Sequence, residues 1–182
     1  MKQKIVEKIL IPEDIELNVE NNKVTLKFDN RENSRRFNFY GVELRKEDNE
    51  ILVESKKSNK KELKIIFSTI AHIKNMIRGL KESFEYKLEI AFVHFPINVE
   101  YDKTNNKLII KNFLGEKKNR IAEIYSDVDL EINKNIISLK SYNIESAGQT
   151  AANIEKATHV KNRDRRKFQD GIYIIKKPKG EI

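Results

Sequence analysis

The sequence contains no cysteine. A disulfide framework and thiolate metal ligation are therefore excluded, and a reducing compartment is the simpler expectation. Long apolar runs are missing too, and none approaches the roughly 18 residues that span a bilayer. The N-terminal stretch, residues 1–9, alternates polar and apolar residues and lacks the continuous apolar centre of a signal peptide. It reads as a strand, and the protein as soluble and intracellular. The six glycines are scattered, so no phosphate loop of the Walker or dinucleotide type is present. The three histidines, His72, His94 and His159, lie far apart, and no two have the spacing of a metal-binding pair. No nucleophile elbow or Ser-His-Asp order occurs. Asp164 and Asp170 sit among arginines and lysines, where charge pairing that orders the loop is expected rather than catalysis. Nothing here calls for an enzyme, a metal or a cofactor.

What the sequence has is positive charge, unevenly placed. Its 182 residues are enough for one ordinary domain or two small ones, and the formal net charge is +8. The segment 156–182 holds nine basic residues and three acids, a net +6. Within it, Lys161, Arg163, Arg165, Arg166 and Lys167 fall in seven positions, followed by Phe168 and a Gln-Asp-Gly turn at 169–171. Such asymmetry points to a polyanion bound at one end. A solvated charge run is the competing reading. A membrane surface would need an amphipathic helix with bulky anchors, and this stretch lacks that period. Nucleic acid is therefore favoured. RNA is preferred over DNA because the charge lies in loops and a tail, not on a recognition helix. Phe168 and Tyr173 can stack on bases or anchor the extension to the core.

Hydrophobic period divides the chain into elements. Ile15, Leu17 and Val19 alternate with polar residues, Asn21-Asn22 supplies a turn, and Val24, Leu26 and Phe28 alternate on the return. Residues 29–34 read as a polar loop. Phe37 and Phe39, then Val42 and Leu44, then Ile51 and Val53 continue a meander of about five strands. The period then becomes helical through Leu63, Ile66, Phe67, Ile70, Ile73, Ile77 and Leu80. Asn59 and Glu62 form a capping box, and Gly79 suits the stop.

The pattern then repeats. Ile11-Pro12 matches Phe95-Pro96, and Asn21-Asn22-Lys23-Val24 matches Asn105-Asn106-Lys107-Leu108, both at an offset of 84. Thr69, Ala71 and Ile73 match Thr150, Ala152 and Ile154 at an offset of 81. The expected architecture is α+β, with two tandem duplicated domains, each an antiparallel sheet packed on one helix. The domains are 1–83 and 84–182, the second carrying the basic extension. Its helix, roughly 144–158, has a stripe of Ala147, Ala151, Ile154 and Thr158 plus Gly148, small enough for close approach to the sheet or to RNA. Gln149, Asn153 and Lys156 lie on its exposed side, and residues 115–120 form a second basic loop.

Three segments carry a family resemblance: Ala147-Gly-Gln-Thr-Ala-Ala-Asn-Ile-Glu155, Lys161-Asn-Arg-Asp-Arg-Arg-Lys-Phe-Gln-Asp-Gly-Ile-Tyr173, and Lys177-Pro-Lys-Gly-Glu-Ile182. So do His72-Ile-Lys-Asn-Met-Ile-Arg-Gly79, Phe84-Glu-Tyr-Lys-Leu88, His94-Phe-Pro-Ile97 and Asn112-Phe-Leu-Gly-Glu-Lys-Lys118. They closely resemble the archaeal and eukaryotic form of ribosomal large-subunit protein six, most weakly over the first 60 residues. The resemblance implies a duplicated two-domain α+β protein of the cytoplasmic ribosome. It implies binding to large-subunit rRNA, mainly through the second domain, near the sarcin–ricin loop and beside the docking site of translational GTPases. Neighbouring ribosomal proteins are further implied partners. Carried over motif by motif, the implied rRNA contacts are Lys117, Lys118, Gln149, Asn153, Lys161, Arg163, Arg165, Arg166, Lys167 and Tyr173. Two other readings remain at this stage, an RNA-processing enzyme and a module whose basic tail binds an acidic protein.

Overall fold

The computed structural model describes residues 3–37, 41–93, 95–164 and 166–178. Phe39, His94, Arg165 and the motif residues 179–182 lie outside them. The chain forms two compact units, Met1–Glu82 and Ser83–Ile182. The fold is α+β, and each unit pairs a helix with two antiparallel sheets.

In the first unit, β1 (Gln3–Leu10), β5 (Glu43–Glu47) and β6 (Glu50–Ser58) form one sheet in the order β1-β6-β5. A second sheet, β2-β3-β4, uses β2 (Glu16–Glu20), β3 (Lys23–Phe28) and β4 (Arg31–Arg36). The expected single five-strand meander is thus six strands in two sheets. The segment expected as a polar loop is largely β4. Its sequence, Arg-Glu-Asn-Ser-Arg-Arg, has no apolar residue, so no period of two is visible. It is an edge strand held by backbone pairing to β3, with Asn33 at its buried position. The turn between β2 and β3 has positive φ at both Asn21 and Asn22, which Asn tolerates at low cost.

Helix α1 (Lys60–Lys81) opens on the expected capping box. The Lys61 N–H donates to the Asn59 side chain at 2.7 Å, and the Asn59 N–H donates to Glu62 at 2.9 Å. Gly79 does not stop the helix; it is buried within it, and the chain leaves at Glu82 in extended backbone. The buried stripe is Ile66, Thr69, Ile73, Met76 and Leu80, with Phe67 turned outward. Positions 66, 73 and 80 centre the stripe, and Phe67 falls one residue off that line. Thr69 satisfies its buried hydroxyl by donating to the Ile65 carbonyl at 2.8 Å. Val24, Leu26, Ile51, Val53, Ile66, Ile73 and Leu80 are the fully buried centre.

The second unit repeats the order. β7 (Phe84–Ala91), β11 (Asp129–Asn133) and β12 (Ile136–Ser141) stand where β1, β5 and β6 stood. β8 (Asn98–Asp102), β9 (Lys107–Lys111) and β10 (Arg120–Glu123) form the second sheet. Backbone bonds between elements recur as well. Ile11 donates to the Asn49 carbonyl at 2.9 Å, and Ile90 donates to the Asn135 carbonyl at 2.8 Å. Phe37 donates to the Asn22 carbonyl at 2.8 Å, and Ile124 donates to the Asn106 carbonyl at 2.9 Å. The matched Thr69 and Thr150, and Ile73 and Ile154, are all fully buried.

Two features are added in the second unit. A 3-10 turn at Phe113–Gly115 lengthens the connection into β10, and β13 (Gly171–Lys176) joins the main sheet, giving β11-β12-β7-β13. Helix α2 (Ile144–Ala157) starts at Asn143, whose side chain accepts the Glu145 N–H at 3.0 Å. Ala147, Thr150, Ala151 and Ile154 face the core with Leu88, Leu108, Ile110, Phe113, Ile137, Leu139 and Ile172. The small residues therefore serve helix–sheet packing. No described helix is long and apolar enough to cross a membrane.

Candidate nucleic-acid interface

The C-terminal end of α2 is the joint on which the basic segments are mounted. Arg120, at the start of β10, is mostly buried there and fully committed. Its guanidinium binds Glu116 bidentately at 2.9 and 2.7 Å, and one Nη donates to the Ala157 and His159 carbonyls at 2.9 and 3.1 Å. It also lies 4.2 Å from the centre of the Phe113 ring. A cation on the last carbonyls of a helix offsets the negative end of its dipole. The Arg120 hydrogen bond holds the Glu116 carboxyl below its ordinary value, against partial burial that pushes the other way. So Arg120, counted in sequence with a basic loop, is a strut rather than a free cation.

The stretch 160–170 is similarly built from inside. Val160 is buried at its start. Phe168 packs against the core, and the Arg163 guanidinium sits 4.9 Å from its ring centre, so of the two roles open to Phe168 the structure shows anchoring. The Asp164 side chain accepts the Arg166 N–H at 2.9 Å, and its carbonyl accepts the Lys167 and Phe168 N–H groups at 3.1 and 3.0 Å. Asp164 thus orders the loop through backbone donors. Asp170 is fully buried and accepts the Val93 N–H at 3.1 Å. Thr158 accepts the Ile172 N–H at 2.9 Å, tying α2 to β13. At Gly171 an added Cβ would lie 2.8 Å from the Tyr173 ring, so glycine lets that ring fold over the backbone. The Tyr173 hydroxyl then donates to the Gln169 carbonyl at 3.1 Å.

These supports leave an open groove of about 1220 Å³ between the β10 loop, the end of α2 and β13. Four of the expected contacts, Lys118, Asn153, Lys161 and Tyr173, line it together. Lys156, which the sequence places on the exposed side of its helix beside Gln149 and Asn153, lines it as well, and so does His159. Asn153 has part of its capacity engaged, donating to the Glu123 carbonyl at 3.1 Å and accepting from Gln149 at 2.9 Å. Gln149, Lys117, Arg163, Arg166 and Lys167 are exposed but are not among the groove residues. Arg165 lies outside the described residues. No group of three His, Cys, Asp or Glu suited to a metal ion occurs among the described residues. The arrangement fits a polyanion: exposed cations on a braced frame, with amides and an aromatic ring between them.

Comparison with known proteins agrees in kind. The sequence model described as Ribosomal protein L6 matches residues 95–171. The chain is 40% identical over 177 residues to large ribosomal subunit protein uL6 of Methanothrix thermoacetophila, covering 97% of this chain and 99% of that one. It is 41% identical over 173 residues to the uL6 of Methanobrevibacter smithii, covering 95% and 96%. With the uL6 of Desulfurococcus amylolyticus it shares 42% over 174 residues, 95% of each. Identity at this level over nearly the whole of both chains, on a duplicated α+β frame, makes this chain a member of the L6 family of ribosomal proteins.

Proposed function

We propose that this chain grips large-subunit rRNA through its second unit, near the sarcin–ricin loop and beside the site where translational GTPases dock. As an L6 protein it is a structural, non-enzymatic component of the large ribosomal subunit, in contact with rRNA and neighbouring ribosomal proteins of the cytoplasmic ribosome. The observation that carries the reading is the braced groove holding Lys118, Asn153, Lys161 and Tyr173, next to a segment with six of the eight net positive charges. Arg and Lys neutralise phosphates and release counterions, while the frame fixes their spacing. Arg163, Arg165, Arg166, Lys167, Lys117 and Gln149 are proposed as further contacts. The first unit, 1–83 in this scheme, serves as the tandem partner of the gripping unit, 84–182.

The test is equilibrium binding of the full chain to an rRNA fragment carrying the sarcin–ricin loop, across a range of salt. Log affinity should fall linearly with log salt, by about 0.9 per duplex phosphate neutralised. Replacing Arg163, Arg165 and Arg166 together by Ala should leave the chain folded, with a small loss of thermal stability from the Arg163–Phe168 contact, and make the slope shallower by about 2 to 3. A flat salt response, or a triple variant that binds like the parent, overturns the assignment.

A further inference from the structure

Beside the basic groove lies a second, smaller cleft of about 580 Å³, and its lining has a different chemistry. Phe92, Val93 and Tyr173 supply apolar surface, and Glu89, Asn135 and Gln169 supply polar atoms. Phe92 is 41% exposed and Val93 68%, so two large apolar side chains stand in water next to a cationic loop. Their segment is held in place. The Val93 N–H is bound by the buried Asp170 carboxylate, whose other oxygen has no hydrogen-bond partner among the described residues. At the other wall, Gly171 seats the Tyr173 ring and the Gln169 carbonyl holds its hydroxyl. Aromatic side chains fixed in position and left uncovered suit a flat π-system, the common way of holding an unstacked base.

Two observations narrow the occupant. Tyr173 lines both the basic groove and this cleft, so one RNA strand can lay its phosphates in the first and turn a base into the second. The polar rim is rich in acceptors. Glu89 sits directly across the strand pair from Tyr173 and offers a carboxylate. Gln169 has its amide N–H₂ engaged with the Arg166 carbonyl at 3.3 Å, which leaves its oxygen to accept. Guanine presents two adjacent donors, N1–H and N2–H₂, that match one carboxylate. Adenine and cytosine each place a ring acceptor beside their amino group, which would face the Glu89 oxygens unfavourably, and uracil has a single donor.

We propose that this cleft seats one unpaired guanine, stacked on Phe92 and Tyr173 and read by Glu89 and Gln169. It rests on the rRNA-gripping reading and adds a base-specific site to it. The probe is a set of oligouridine heptamers whose central residue is guanosine, adenosine or an abasic sugar, titrated into the full chain at low salt. The guanosine strand should bind about tenfold more tightly than the abasic one, the usual scale of one base stack, with the adenosine strand well below it. Phe92→Ala should reduce the guanosine strand to the abasic level and leave the abasic affinity and the thermal midpoint unchanged. Glu89→Gln should narrow the guanosine-to-adenosine ratio while keeping the stacking gain over abasic. Equal binding of guanosine and abasic strands overturns the guanine seat, and their shared salt dependence would leave the phosphate groove standing. Loss of salt dependence in every strand would instead sink the underlying reading. A guanosine preference untouched by Phe92→Ala also overturns the proposal and assigns the exposed aromatics to a protein neighbour.

Discussion

One buried hydroxyl holds much of the second unit's geometry. Thr158 accepts the Ile172 N–H and lies 3.4 and 3.2 Å from the Ile154 and Glu155 carbonyls, to which its proton can go. Thr158→Val keeps the shape and strands the Ile172 donor in the core. It should cost about 1–3 kcal/mol of stability in denaturant titrations, whereas Thr158→Ser should cost less. Gly171 is the second such point. Gly171→Ala must push the Tyr173 ring off the backbone, and the loss of the Tyr173–Gln169 bond should appear as a shift of the tyrosine ring resonances. The sequence made Thr158 legible as a stripe position, since small buried residues at helical spacing announce themselves. It could not make its hydroxyl legible, because the partner lies on a strand 14 residues further on. Phe67 shows the opposite failure: an aromatic at nearly the right spacing looked buried, and only the rotation of the helix against its sheet decides which neighbour of the stripe faces water.

At the scale of elements, the brace between the β10 loop and α2 should be visible in acid. The Glu116 carboxyl is held below its ordinary value by Arg120. A group with a depressed folded pKa contributes stability that is complete above its unfolded pKa, about 4.5, and is lost as pH falls through the lower folded value. Glu116→Gln should therefore lower the melting temperature at neutral pH and narrow its gap to the parent as the pH drops below about 4. Equal offsets at all pH values would show that the pair is not the source. Arg120→Met keeps the apolar stem over Phe113 but removes the cap on α2, and hydrogen exchange should quicken at the last turn of that helix. Element existence was readable wherever apolar residues kept a period, as in α1, α2 and the β2–β3 hairpin. β4 escaped because an edge strand can be built of polar residues when its backbone pairing is supplied by a neighbour. The division into two sheets per unit escaped for a related reason: alternation identifies a strand but carries no record of which strand it bonds.

For the whole molecule, charge is arranged against the local background. Residues 83–155 carry eleven acids and nine bases, while 156–182 carry nine bases and three acids. The segment 156–182 is therefore a positive stretch on an otherwise slightly negative unit, an asymmetry that suits orientation on a polyanion as well as affinity. Amine labelling of assembled large subunits should find Lys118 and Lys161 protected relative to the free protein; full reactivity of both would contradict the interface. The duplication was legible because proline, paired asparagines and a Thr-x-Ala-x-Ile helix signature recur in order. Of the ten expected contacts, four converge on the groove because the loop before β10, α2 and β13 meet there, a meeting that no linear spacing encodes.

β13 has a consequence for how the protein is made. Its Ile172 pairs with Ile90 on β7, the first strand of its unit, across nearly the whole length of that unit. Long-range pairings of this kind form late and slowly. During synthesis the outer edge of β7 must wait unpaired until the 79 residues between Ala91 and Gly171 have followed it, and chains fold as they emerge. The basic loop is docked only when β13 pairs with β7, so the groove it borders is completed after the rest of the unit's sheet. A chain cut short before Gly171 would keep most of its core residues and its helix, yet would present an open strand edge and an undocked cationic tail.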